Sequence, residues 1–160
     1  MDLHNLFTYL NIFEILFYIF SLVMTQFIAT EITKRLNIDK SKARFAWLPI
    51  YGTFVLSKLT LNSYKYAAWI LITSFISVIS IIGAVFISIL FGVSSSPITI
   101  IIAAIISLIS AILTLILTYK IYRGVSKIFC YGTVATILSL FFAPIVWLVF
   151  ILSKDDKDYI

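Results

Sequence analysis

The sequence predicts an all-α polytopic membrane protein with about four transmembrane helices and an interfacial or re-entrant segment after the first. Three observations carry that prediction. Two apolar runs, 66–93 and 98–119, contain no charged residue, and each exceeds the roughly 20 residues a helix needs to cross a ~30 Å hydrocarbon core. Only Ser94-Ser95-Ser96-Pro97 separates them, so they read as a transmembrane helical hairpin. The chain of 160 residues is 62% hydrophobic and 12% charged, about half the charge of a soluble domain, which leaves no room for a separate soluble catalytic domain.

Taken in order, the first span covers about 6–29. It does not read as a cleaved signal peptide: the charge before it is Asp2 rather than Lys or Arg, the run is too long, and no small-x-small site follows. A polar segment, 30–65, comes next, then the hairpin 66–93 and 98–119, and a last span at about 131–152. The whole is one integral-membrane domain. Pro144 removes a backbone donor in the last span and is expected to kink it around Leu140.

Charge sets the expected orientation. Lys34, Arg35, Lys40, Lys42, Arg44, Lys58 and Lys65 face only Glu31 and Asp39 in the first loop, and Lys120, Arg123 and Lys127 have no acid beside them. Basic loops are retained on the cytoplasmic side, so both loops are expected inside and both termini outside a cytoplasmic membrane. Lys154 and Lys157 in the mixed C-terminal tail argue the other way. Tyr64, Tyr66, Trp69, Tyr119, Tyr122 and Tyr131 fit an aromatic belt on the basic side, with Tyr9 and Trp147 towards the opposite face.

Small and weakly polar residues mark helix contact faces in lipid. Such stripes run through Thr73, Ser77, Ser80, Ala84 and Ser88, through Ala103, Ser107, Ala111, Thr114 and Thr118, and through Gly132, Thr136, Ser139 and Ala143. They read as packing faces or as a hydrated path, although Ser and Thr also satisfy themselves on the i−4 carbonyl. On the first span Asn11, Glu14, Tyr18, Ser21 and Thr25 form a markedly polar face. Glu14 is the only acid inside a span. It reads either as a working carboxylate or as a shallow group, ~8 Å from the surface, that reaches headgroups.

Within the basic loop, Phe45-Ala46-Trp47-Leu48-Pro49-Ile50-Tyr51-Gly52 is apolar yet broken by Pro49 and Gly52. It suits the interface or a shallow re-entrant position, either as a connector or as a partner segment through Trp47, Pro49, Tyr51 and Gly52. Lys42, Arg44, Lys58, Lys120, Arg123 and Lys127 are the expected lipid-headgroup contacts.

Ala46-Trp47-Leu48-Pro49-Ile50-Tyr51, Val55-Leu56-Ser57-Lys58-Leu59, Arg123-Gly124-Val125-Ser126-Lys127 and Ala143-Pro144-Ile145 resemble the motifs of a family of small, functionally uncharacterised bacterial membrane proteins. Some relatives in that family are fused to signal peptidase. Gly52 stands where the family often has Asn. The resemblance implies a four-helix membrane fold and no activity. Richness in Ile, Phe and Lys agrees with an AT-rich bacterial genome.

The sequence disfavours an enzyme. His4 and Cys130 are the only residues of their types, so no His- or Cys-based metal cluster, cofactor site or nucleophile–base pair assembles within one chain. Cys130 near Lys127 reads as an activated thiol or, more plainly, as a small interfacial residue. The net charge of +5 suits lipid headgroups rather than nucleic acid. The expected partners are the bilayer and another membrane protein or a second copy. The expected function is a non-enzymatic accessory, scaffold or immunity-type subunit; the alternative is an oligomeric pore or small transporter, holin-like or ion-conducting, built around Glu14.

Overall fold

Runs of Ile, Leu, Phe and Ala uninterrupted by charge fold as helices because, in lipid, only a helix satisfies its own backbone. The computed structural model describes residues 3–91 and 97–153. The elements are α1 (Leu3–Arg35), a 3-10 turn (Lys40–Ala43), α2 (Pro49–Leu61), α3 (Lys65–Phe91), α4 (Pro97–Ile128) and α5 (Thr133–Leu152). The protein is an all-α polytopic membrane protein. Four of these helices, α1, α3, α4 and α5, are long and apolar enough to cross a bilayer. The Ser94-Ser95-Ser96 break, the tail from Lys154 onward and the Tyr9 ring lie outside the described residues.

Two boundaries differ from expectation. Helix α1 continues to Arg35, and α4 runs past Tyr119 to Ile128, so Lys120, Arg123 and Lys127 project from a helix rather than a loop. Both helices stop by the same device. Asn37 and Cys130 adopt φ of 50° and 60°. Their amides donate to Lys34 O and Lys127 O, while Ile38 and Tyr131 donate back to Thr33 O and Ser126 O. These are Schellman caps, in which a left-handed residue turns the last carbonyls inward.

Helices α3 and α4 form the expected hairpin. Thr73 Oγ1 meets Thr114 Oγ1 at 2.8 Å, and Ser80 Oγ donates to Ala103 O at 3.4 Å. The stripes of α3 and α4 meet along this seam at these two contacts, while Thr73, Ser77, Ala111, Thr114 and Thr118 also line an open cavity of about 520 Å³. On α4 Ala103 and Ser110 are buried along the seam, whereas Ala111 is exposed. In α5, Thr136 and Ser139 are buried, but Gly132 is exposed and open space surrounds it, so it packs against nothing.

Helix α5 departs most from a simple rod. A straight helix of 20 residues is ~30 Å long and would hold its two ends that far apart. Instead the Tyr131 ring stacks on Phe150 with centroids 4.3 Å apart, and the Tyr131 hydroxyl is hydrogen-bonded to the Ser153 hydroxyl. The element is bent back on itself at Phe142 (φ −131°, ψ 38°), two residues before Pro144. That is two residues later than Leu140, whose carbonyl loses its i+4 donor to the proline. Each limb is about ten residues, or ~15 Å. The reversal carries Trp147 back to Tyr122, edge-on at 5.2 Å, and buries it to 2% exposure. The expectation of Trp147 in an aromatic belt on the face opposite Tyr122 is thus corrected.

Leu3 and Ser153, the described ends of the chain, consequently lie at opposite ends of the molecule. Ser153 stands beside Phe129 and Phe150, where the Arg35 guanidinium covers the Phe129 ring at 4.3 Å, and α1 begins ~48 Å away along its own axis.

Cys130 has a side chain at a position where glycine carries no steric cost. Cys130→Gly is expected to raise stability by about 1 kcal/mol, read as a higher Tm in detergent. An unchanged or lower Tm would show that the cap is not strained.

Candidate functional site

The core is confined to the basic end. It joins Met24, Ile28 and Ile32 of α1, Val55 and Leu56 of α2, Ile121 and Val125 of α4, and Trp147 and Phe150 of α5. Segment 30–65 is therefore not a simple loop. It folds as a 3-10 turn and a buried-faced helix that bridges α1 and α4.

Two glycines allow the bridge. A Cβ on Gly52 would lie 2.3 Å from Ala46 O and 3.0 Å from Thr25 Cγ2; one on Gly124 would lie 2.6 Å from Thr60 Cβ. The first end of α2 thus rests on α1 at Thr25, and its last turn rests on α4 at Gly124. Gly52 acts through having no side chain.

Gln26 fastens the approach to α2. Its Nε2 donates to Ala43 O at 3.1 Å and to Thr30 Oγ1 at 3.3 Å, and its Oε1 accepts from Trp47 N at 3.2 Å. The chain reverses here through Phe45 at φ 66°, an uncommon conformation for a bulky residue. The Arg44 guanidinium lies 4.9 Å from the Phe45 ring centroid. Asp39 caps the 3-10 turn, accepting from Ser41 Oγ and Ser41 N. Those two bonds, with the charge of Lys42, hold its carboxyl below the ordinary value. The cap is therefore fully formed above the ordinary carboxylate range and is lost as pH falls through the lowered value.

One turn below Gln26 sits the buried acid. Glu31 is 5% exposed, with Oε2 3.0 Å from Lys34 Nζ and Oε1 3.9 Å from Arg35 Nε. Glu31 Oε1, Arg35 Nε, Ser126 Oγ and Trp147 Nε1 are buried without hydrogen-bond partners. Sequence reasoning missed Gln26 and the orphan groups Ser126 and Trp147, whose neighbours lie on distant parts of the chain, and the burial of Glu31, whose cations Lys34 and Arg35 are only one turn away.

The expected polar face of α1 divides in two. Thr25 bonds back to Ser21 O at 2.8 Å and faces Gly52, so its lower part belongs to the core. Asn11, Glu14 and Tyr18 are exposed on a half-helix with almost no protein around it; among residues 11–20 only Phe17 is half-buried. Glu14 makes no ion pair among the described residues. Trp47, Pro49 and Tyr51 are exposed as well, while Gly52 beside them is buried. The structure does not bring Glu14 and the Trp47 segment together.

Three of the basic residues lean on rings or a hydroxyl. Lys58 Nζ lies 5.4 Å from the Tyr64 ring centroid and Lys120 Nζ 5.5 Å from that of Tyr66, and Arg123 Nη1 donates to Thr133 Oγ1 at 2.8 Å. Cys130 is exposed. Among the described residues no three His, Cys, Asp or Glu side chains gather to hold a metal.

No family model, curated protein or solved structure matches the chain. The family resemblance rests on its short motifs, and the packing around Gly52 has no room for the asparagine that family often carries there.

Gln26→Leu would strip the partners from Trp47 N–H and Ala43 C=O. It is expected to cost about 1–3 kcal/mol and to speed trypsin cleavage after Lys42 and Arg44. Equal cleavage of variant and parent would show that the clamp is dispensable. Gly124→Ala is expected to force α2 off α4 at a cost of about 1–3 kcal/mol, read as a lower Tm.

Proposed function

We propose that this chain is a non-enzymatic, multi-pass subunit of the cytoplasmic membrane that binds another membrane protein through the outer half of α1, with the exposed Trp47–Tyr51 segment as a second contact. The observation that carries this reading is the bare polar face of Asn11, Glu14 and Tyr18. The uncharged stretch of α1 from Ile15 to Thr30 is 16 residues, ~24 Å, shorter than the hydrocarbon core. At least one flanking carboxylate is thereby drawn towards hydrocarbon. Glu31 is shielded by protein; Glu14 is not. A polar group presented to lipid on an otherwise apolar helix gains by meeting a second helix that offers donors. The hydroxyl stripes of α3 and α4 already meet each other, at Thr73–Thr114 and Ser80–Ala103. Glu14 also lies on the outside of the bundle rather than between helices, which favours an interaction role over a path through one chain.

The sidedness we propose is three crossings by α1, α3 and α4, with α5 entering and leaving on the basic, cytoplasmic side. Lys154 and Lys157 then join the other ten basic residues, and the retention of Lys and Arg holds for all twelve.

A photo-crosslinking residue at Tyr18 is expected to give one discrete adduct with a foreign membrane protein in native membranes, whereas one at Ile79 gives lipid adducts only. Glu14→Gln should weaken the Tyr18 adduct while expression stays unchanged. A ladder of self-adducts from Tyr18 would replace this reading with the oligomeric pore. Reporter fusions after Ser41 and at the C-terminus are expected to report the same side of the membrane, and an N-terminal fusion the other. A C-terminal reporter on the N-terminal side would sink the proposed sidedness.

A further inference from the structure

A trough of about 740 Å³ runs along α2, lined by Leu48, Pro49, Ile50, Tyr51, Phe54 and Tyr64. Its volume is that of a small-molecule site, yet its walls are almost wholly hydrocarbon and aromatic. A polar solute finds nothing along it to bond. A hydrocarbon chain does.

One end differs from the other. Phe54 and Tyr64 close that end with ring centroids 6.3 Å apart, and Lys58 Nζ stands over Tyr64, 3.4 Å from Asn62 O. Lys65 follows Tyr64 directly and is exposed. On α2 the lining runs from Pro49 to Phe54, and Lys58 stands on the next turn of the helix, with no charge between Pro49 and the lysine. The charge of Lys58 is also uncompensated. Lys58 forms no ion pair among the described residues, and the sequence has no acid between Asp39 and Asp155.

We infer that the trough seats one acyl chain of an anionic phospholipid whose phosphate rests on Lys58. The apolar wall takes the chain, and the cation selects the headgroup. The single charge accounts for selectivity between lipids, and the wall for affinity common to all of them.

The test is native mass spectrometry of the full chain, released from micelles holding equal phosphatidylglycerol and phosphatidylcholine with the same chains. Retention is expected to favour phosphatidylglycerol by about fivefold, the effect of one lysine at a membrane surface. Lys58→Gln should level the two lipids, Lys58→Arg should keep the preference, and Lys127→Gln should leave it unchanged. Ile50→Trp, which fills the trough, should reduce retention of both lipids in a chain whose helical circular dichroism is intact. A preference that survives Lys58→Gln, or that falls equally with Lys127→Gln, would assign it to the basic surface at large and overturn the site. A lipid-free dimer would give the trough to a second copy and overturn it as well.

Discussion

The return of α5 onto itself is the contact on which the bundle depends. Bilayer hydrocarbon offers no hydrophobic force to draw helices together, so association rests on close packing and on bonds between polar groups. By bending at Phe142, α5 presents two limbs at one end of the molecule. One buries Thr136 and Ser139, the other Pro144, Trp147 and Phe150. The second limb reaches Tyr122, Phe129 and Tyr131, and Phe129 in turn carries the Arg35 guanidinium. The end of α1 is thus tied to the residue that follows α4, and Phe150 of α5 backs that contact by stacking on the same ring. A straight α5 would leave Phe129 and Tyr131 without Phe150, and the Arg35 contact without its support.

The same reversal divides the molecule into unequal halves. At the basic end, α1, α2, α4 and both limbs of α5 enclose the core, and every residue of that core from Met24 to Phe150 lies there or in the segment leading to α2. At the other end α1 stands apart from the α3–α4 hairpin, held by nothing comparable. The seam between α3 and α4 is thin in burial, with Ala67 and Thr73 the only buried residues of α3 among those described. Local stability should follow this gradient, since buried contacts are what oppose local opening.

Composition and run length were enough to read the helical class and the positions of α1, α3 and α4. The reason is physical: a bilayer imposes length and apolarity on whatever crosses it. The shape of α5 was not readable in that way, because hydropathy measures how much chain is apolar and not whether it goes straight. Pro144 located the break to within two residues but held no information about its angle. The C-terminal lysines were the other signal, since they conflicted with a straight last span. The burial of Glu31 was hidden although its cations, Lys34 and Arg35, are one turn away, because only tertiary packing encloses it, and Gln26 was hidden for a different reason. Gln26 binds Ala43 and Trp47, 17 and 21 residues away, and Ser126 and Trp147, the orphan groups of the same core, are farther still. No local pattern marks a partner that distant. Gly52 was noticed as a chain break, yet its role is to let α2 touch Thr25.

These features bear on where function resides. A carboxylate buried beside two cations at the base of α1 is a fastening: Glu31 is held by Lys34, which is itself exposed, so removing the lysine would leave the carboxylate in a packed core with only the more distant Arg35 beside it. Glu14 has the opposite environment, with no ion pair among the described residues and a surface of Ile12, Phe13, Ile15 and Leu16 around it that is open to whatever lies alongside. A polar side chain inside the core contributes to the fold, and one outside it contributes to nothing in the isolated chain. The cost of keeping Asn11, Glu14 and Tyr18 on a lipid-facing helix would be offset by another molecule that meets them. The interaction we propose rests on that exposed face at the thin end of the bundle, away from the packed basic end.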